Sequence, residues 1–104
     1  MIDEIFKAAD ILYAETQFLR TPEKTHAVYM DDVTTDGPDD LTRIFFHNIT
    51  VELYEHKPDP ATEAALEREL NARGIKWYKQ ARYWLKDAQL YQVIYEDISY
   101  VEKI

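Results

Sequence analysis

Residues 42–56 read TRIFFHNITVELYEH, and their alternation decides the fold. Phe45, His47, Ile49, Val51 and Leu53 fall on one side of an extended chain. Ile44, Phe46, Asn48, Thr50, Glu52 and Tyr54 fall on the other. A period of two belongs to a strand, because successive side chains of extended backbone point to opposite faces. The first set is the expected core face, and the spacing predicts one long strand over 42–56. Upstream, residues 25–30 (THAVYM) predict a short strand by their Val, Tyr and alternation. Between the two lies the segment 31–40, DDVTTDGPDD, expected as an acidic loop punctuated by Gly37-Pro38. The three pieces make a β-hairpin whose connection of about ten residues exceeds the usual two to five. Long connections often carry function.

Downstream, the ends of a helix are written more clearly than its face. Asp59 is an N-cap residue and Pro60 suits the first helical position. Gly74 suits the left-handed position after the last turn, with Ile75 placed to touch Leu70 in a Schellman motif. Leu66 and Leu70 form a narrow stripe beside a ridge of Ala61, Ala65 and Ala72 that would admit another backbone. Residues 75–86 and 89–101 predict two further strands. In the first, Ile75, Trp77, Ala81, Tyr83 and Leu85 share one side. In the second, Tyr91, Val93 and Tyr95 alternate with Gln92, Ile94 and Glu96. Upstream of the hairpin, Ile2, Ile5, Phe6, Ala9, Leu12, Tyr13 and Thr16 fall at helical spacing and predict a helix over 2–18, closed before Pro22. Ile11 and Phe18 fall off that stripe, as scattered surface apolar groups or as a second contact face. The expectation is one α+β domain over 1–104, in the order α-β-β-α-β-β. Its four-stranded antiparallel sheet carries both helices on one face.

The chain has 104 residues, enough for one core. It has no cysteine, which excludes disulfides, thiol nucleophiles and cysteine metal sites. Gly37 and Gly74 are its two glycines, which excludes a glycine-rich phosphate loop. The formal net charge is −8 and it is unevenly placed. Residues 1–40 hold 3 bases and 10 acids, a balance of −7; residues 41–104 hold 9 bases and 10 acids, a balance of −1. Asp31, Asp32, Asp36, Asp39 and Asp40 crowd the hairpin loop, while Arg73, Lys76, Lys79, Arg82 and Lys86 lie in a stretch without acids. Net acidity disfavours general nucleic-acid binding, where phosphate neutralisation dominates, and binding to an anionic membrane. No apolar run approaches the roughly 20 residues of a membrane span. MIDEIFKAAD has acids where a signal peptide has bases, so the expected compartment is the cytoplasm or an assembled particle.

The candidate chemistry is thin. Asp32, Thr34, Asp36 and Gly37 open like an EF-hand loop, but Arg43 stands where a bidentate Glu is needed, so no metal site is expected. His26, His47 and His56 make no HExxH pattern, and His47 is expected as a core or interface histidine with a satisfied hydrogen bond. Ser99 lacks a GxSxG elbow. Twenty acids guarantee some carboxylate proximity but select no pair. Neither catalytic nor cofactor-binding residues are expected. The stretch KWYKQARYWLK interleaves bases and aromatics, as a single-strand platform does. It reads equally as a solvated sheet strand, or as a docking strip for the acidic loop of a neighbouring subunit. Opposite patches on one surface make a head-to-tail contact that closes into a ring where the rotation permits.

Several segments carry a resemblance. They are Val28-Tyr29, Asp36-Gly37-Pro38-Asp39, Val51-Glu52-Leu53-Tyr54-Glu55, Pro58-Asp59 before a Glu-rich helix, Gly74-Ile75-Lys76-Trp77, and Leu90-Tyr91-Gln92-Val93-Ile94-Tyr95-Glu96. In this order they resemble the tail-completion proteins of long-tailed phages and prophages, which include tail terminator and head–tail joining proteins. After Glu96 the chain has Asp97-Ile98 where that pattern has an aromatic. The resemblance implies a non-enzymatic virion protein of the tail, cytoplasmic before assembly. It implies a ring, commonly a hexamer, that contacts the tail tube protein and the head connector and lets DNA pass. Asp31, Asp32, Asp36, Asp39, Asp40, Arg73, Lys76, Lys79, Arg82, Lys86, Ile11 and Phe18 are then the expected interface or lumen residues. The alternative is a small regulatory or binding module that uses the basic aromatic strand 75–86.

Overall fold

The computed structural model describes residues 1–36 and 44–103. It is α+β, with α1 (Ile2–Ala8), β1 (Leu12–Glu15), β2 (His26–Asp36), β3 (Ile44–Glu55), α2 (Pro60–Ala72), β4 (Tyr78–Lys79), β5 (Tyr83–Leu85) and β6 (Leu90–Lys103). The sheet has six strands, not four. Its path runs β1-β2-β3-β6, with β4 and β5 both pairing along the outer side of β6. The β1–β2 pair is parallel and the others antiparallel.

The decisive strand matches its reading. Ile49, Val51 and Leu53 are fully buried on one face. Both helices supply that face: Ile2, Ile5 and Phe6 from α1 and Leu66 and Leu70 from α2 share one core with Ala27, Tyr29, Val93, Tyr95 and Ile98. Fully burying one such aliphatic side chain stabilises the fold by about 2 kcal/mol. Phe6 stacks on Tyr13 at 4.9 Å, and Tyr29 closes the aromatic cluster.

The helix expected over 2–18 stops at Ala8. Asp10 takes φ +57, Asp10 N–H donates to Lys7 O and Ile11 N–H to Phe6 O, both within 3.2 Å. These are the two bonds of a Schellman motif, with Asp in the left-handed position that Gly usually fills. Ile11 is therefore a core residue packed where the motif wants its hydrophobic contact, and neither expected surface reading of it holds. The chain then extends as β1 beside β2. By contrast α2 ends as read: Gly74 has φ +68, Gly74 N–H donates to Asn71 O and Ile75 N–H to Leu70 O, each at 3.0 Å. At its start, Asp59 Oδ1 accepts from Thr62 N–H at 3.1 Å. Of the alanine ridge, Ala61 and Ala72 are exposed and Ala65 is half-buried.

Two further expectations are corrected. The acidic segment is strand, not loop, as far as Asp36, because the β-branched Val33, Thr34 and Thr35 continue the ladder to Asp36 opposite Ile44. Asp39 and Asp40 lie outside the described residues. The strand expected over 75–86 is two short pieces. The residues expected to share one side differ in burial: Tyr83 and Ala81 are exposed, Ile75 is buried and Trp77 is half-buried. In β6, Asp97 has φ +59 and the register slips between Ile49 and Val51, so two residues of β6 oppose one of β3. This bulge shifts the buried parity from Val93 and Tyr95 to Ile98. Among the described residues no helix is long and apolar enough to cross a membrane.

Candidate functional site

Two polar constellations stand out. The first is a buried charge cluster where β3 ends against α2 and the β4–β5 segment. Glu55 is the last residue of β3 and continues the inward parity of Ile49, Val51 and Leu53, so a carboxylate arrives on the core face. Glu63 lies one turn into α2 and is buried beside it. Arg82 answers both: Nε donates to Glu55 Oε1 at 3.1 Å and Nη2 to Glu63 Oε2 at 2.6 Å. Lys79 Nζ sits 2.8 Å from both Glu63 Oε1 and Glu67 Oε2, and Tyr95 OH donates to Glu67 at 2.6 Å. The ladder breaks between β4 and β5 at the very residues that deliver Arg82 inward.

Three carboxylates against two cations leave the cluster one negative charge in excess. Burial, then the hydrogen bond and charge of Glu63, push the Glu55 carboxyl up to about 7. For Glu63 burial acts upward, but hydrogen bonds from Glu55, Lys79 and Arg82 outweigh it and hold its carboxyl down to about 2. Burial and the Glu67 hydrogen bond raise the Tyr95 phenol. Glu55 Oε2 is buried without a partner among the described residues. Paired carboxylates with divergent affinities for a proton are the raw material of acid–base catalysis. Here the proton-holding member has no exposed surface and both oxygens of its partner are held by cations. The arrangement is a clasp that fastens the edge segment to the body.

The second constellation crosses the three-stranded extension of the sheet. His47 Nδ1 lies 2.6 Å from Asp31 Oδ2 on β2, and Nε2 lies 3.2 Å from Glu102 Oε1 on β6. Tyr100 stacks on the imidazole at 4.4 Å and 9°. Burial acts to lower the His47 pKa, but the hydrogen bonds to the two carboxylates outweigh it and raise the value. The expected hydrogen-bonded histidine is thus found, as a cross-strand clamp. Beyond it β2 (31–36), β3 (44–49) and β6 (98–103) form an arm: β1 pairs β2 only at residues 26–29, and β4 and β5 pair β6 only within residues 90–96. Both outer edges of the arm have no partner strand among the described residues. The molecule is correspondingly elongated, 47 × 28 × 22 Å.

The residues singled out from sequence are scattered among several roles. Asp31 belongs to the His47 clamp; Asp32 is exposed on β2, and Asp36 ends that strand. Arg73 pairs with Glu69 on its own helix at 2.6 Å. Lys79 and Arg82 are consumed by the clasp. Lys76 and Lys86 are exposed and make no ion pair among the described residues. Phe18 packs edge-on to His26 at 5.4 Å. Sequence reasoning missed Glu55 and Glu63. Their signal was present: Glu55 extends the apolar parity of β3, and a strand glutamate on a core face requires a cation. Among the described residues no cluster of three or more His, Asp and Glu is arranged to hold a metal ion. No protein-family model and no curated protein matches the chain.

Proposed function

We propose that the protein is a virion structural subunit, a tail terminator or head–tail joining protein, that assembles as a ring at the head-proximal end of a phage tail tube. The observation that carries this reading is the arm. Three strands whose two edges have no partner among the described residues present rows of backbone donors and acceptors that another chain can satisfy. The arm also exposes Val33, Phe46 and Val101, apolar groups with no role in the core. Such a surface suits a subunit completed by its neighbours. The sequence resemblance supplies the identity of those neighbours: further copies, the tube protein and the head connector. An arm edge carrying Asp32 suits a lumen that repels DNA and lets it slide. A non-enzymatic role agrees with a carboxylate pair that is closed to solvent and clamped by internal cations.

The proposal replaces docking through Arg73, Lys79 and Arg82 with docking through the arm, since those three bases are already paired within the chain. For the same reason the alternative, a binding module built on strand 75–86, retains only Lys76 and Lys86 as free bases among the described residues of that stretch. The test is sedimentation and negative-stain microscopy across a concentration series, alone and with tube protein. Rings that disappear in Phe46→Glu and Val101→Glu, with circular dichroism unchanged, are expected. A wild-type monomer at every concentration, with tube protein present, overturns the reading.

A further inference from the structure

The sheet face opposite the helices carries a cleft. Register places His26 of β2 beside Tyr54 of β3, and Tyr54 beside Gln92 of β6. Val28 and Glu52 form the next rung. The chain between β1 and β2 folds over this end of the face. Thr16, with φ +70, donates its N–H to Tyr29 O at 2.9 Å, and Phe18 follows to meet His26 edge-on. The cleft is open to solvent and holds about 250 Å³, with Phe18, His26, Tyr54, Val28, Leu90 and Glu52 in its lining.

Beside Thr16, Gln17 and Thr21, whose side chains can donate or accept, the lining holds two groups that present acceptors, His26 and Glu52. His26 is 3% exposed. Its Nδ1 lies 2.8 Å from Lys24 O, and a carbonyl only accepts, so Nδ1 carries a proton. Burial lowers the His26 pKa, with His56 adding to the effect against the Lys24 hydrogen bond, so the ring is neutral and Nε2 is a bare acceptor. Nε2 has no partner among the described residues. Tyr54 stacks on His26 at 5.4 Å and 22°. Its hydroxyl donates to Glu52 Oε1 at 3.0 Å and accepts from Gln92 Nε2 at 3.1 Å, so its proton is committed. Glu52 is the one charged residue of the lining and makes no ion pair among the described residues.

We propose that this cleft receives a basic side chain, a guanidinium or alkylammonium group, presented by another protein chain. Ring faces attract a cation through their quadrupoles, and Glu52 and His26 Nε2 supply acceptors for its protons. An anion would meet Glu52. A purely apolar ligand would strip water from Glu52 and Nε2 without replacing its hydrogen bonds. The cleft lies on the same outer face as exposed Met30, two rungs beyond Val28 on β2's side of the sheet, which a chain presenting the side chain would cover and a free amine would not. This recognition does not require the ring reading.

The test is a titration of the full chain followed by NMR of its aromatic resonances. The probes are the blocked tripeptide Ala-Arg-Ala, its norleucine counterpart and free agmatine. The arginine peptide is expected to shift Phe18, His26 and Tyr54 saturably, more tightly than agmatine, while the norleucine peptide leaves them unmoved. Glu52→Gln is expected to weaken the arginine peptide roughly tenfold, the size of one charge-assisted hydrogen bond, with the rest of the spectrum unchanged. Equal binding of the norleucine peptide overturns the cationic assignment. Absence of a saturable shift, or an unaltered affinity in Glu52→Gln, does the same. Tighter binding of agmatine than of the peptide reassigns the cleft to a free small cation and overturns the protein source.

Discussion

Replacing Glu55 by Gln isolates the raised carboxyl of the clasp. Glu55 has a folded pKa of about 7 against an ordinary value of 4.5. A raised folded value means that the native state holds the proton more tightly than the unfolded chain. Stability from this group is therefore complete below pH 4.5 and is lost as pH rises to about 7. At 1.36 kcal/mol per unit, the ionised form above pH 7 is less stable by about 3 kcal/mol. The glutamine copies the protonated carboxyl. Its Oε1 still accepts from Arg82 Nε, and its amide carries no charge at any pH. Urea denaturation of Glu55→Gln and wild type, at one protein concentration, is expected to give matched stabilities near pH 5. At pH 8.5 the variant is expected to be more stable by up to about 3 kcal/mol, and for a domain of this size each kcal/mol is about 4–8 °C in Tm. A difference that stays constant across pH, or a wild type that gains on the variant as pH rises, would refute the raised Glu55 carboxyl.

Arg82→Glu puts a further carboxylate against Glu55 and Glu63; far-ultraviolet melts at monomeric concentrations are expected to show destabilisation by about 3–5 kcal/mol, the penalty for breaking a buried pair, and a loss confined to assembly would contradict the clasp. Gly74→Ala is expected to destabilise by about 1 kcal/mol purely through its positive φ, since no atom of the described residues lies within 4 Å of the added methyl. Asp10→Gly is expected to do the reverse at the corresponding position of α1, by up to about 1 kcal/mol, measured in the same melts. His47 has a raised pKa, so its clamp contributes fully below pH 6.5 and fades as pH climbs past the folded value. Amide exchange in the arm is expected to quicken over that interval relative to the change in His47→Gln, and indifference to pH would remove the clamp's role.

Asp59-Pro60 and Gly74-Ile75 determine α2 by themselves, because caps and a positive-φ glycine act through the local backbone. The alternation of 44–55 likewise determines β3, its buried face and the presence of a sheet. Other features needed partners distant in sequence. The stripe over 2–16 is equally compatible with a long helix and with a short helix followed by a strand. Docking of Ile11 beside Phe6 and pairing of β1 with β2 select the second, at the expense of a left-handed Asp10. The run of five bases was legible as charge, but its destination was not. Glu55 and Glu63, which hold Arg82, are 27 and 19 residues away from it. The outer cleft is equally non-local, for Phe18, His26, Glu52 and Tyr54 meet only through sheet register and a folded-back connection. Sequence alone determined the elements whose signals lie within one turn or one strand. Tertiary structure decided which charges are spent internally, because buried charges take whatever counterion the fold brings to them.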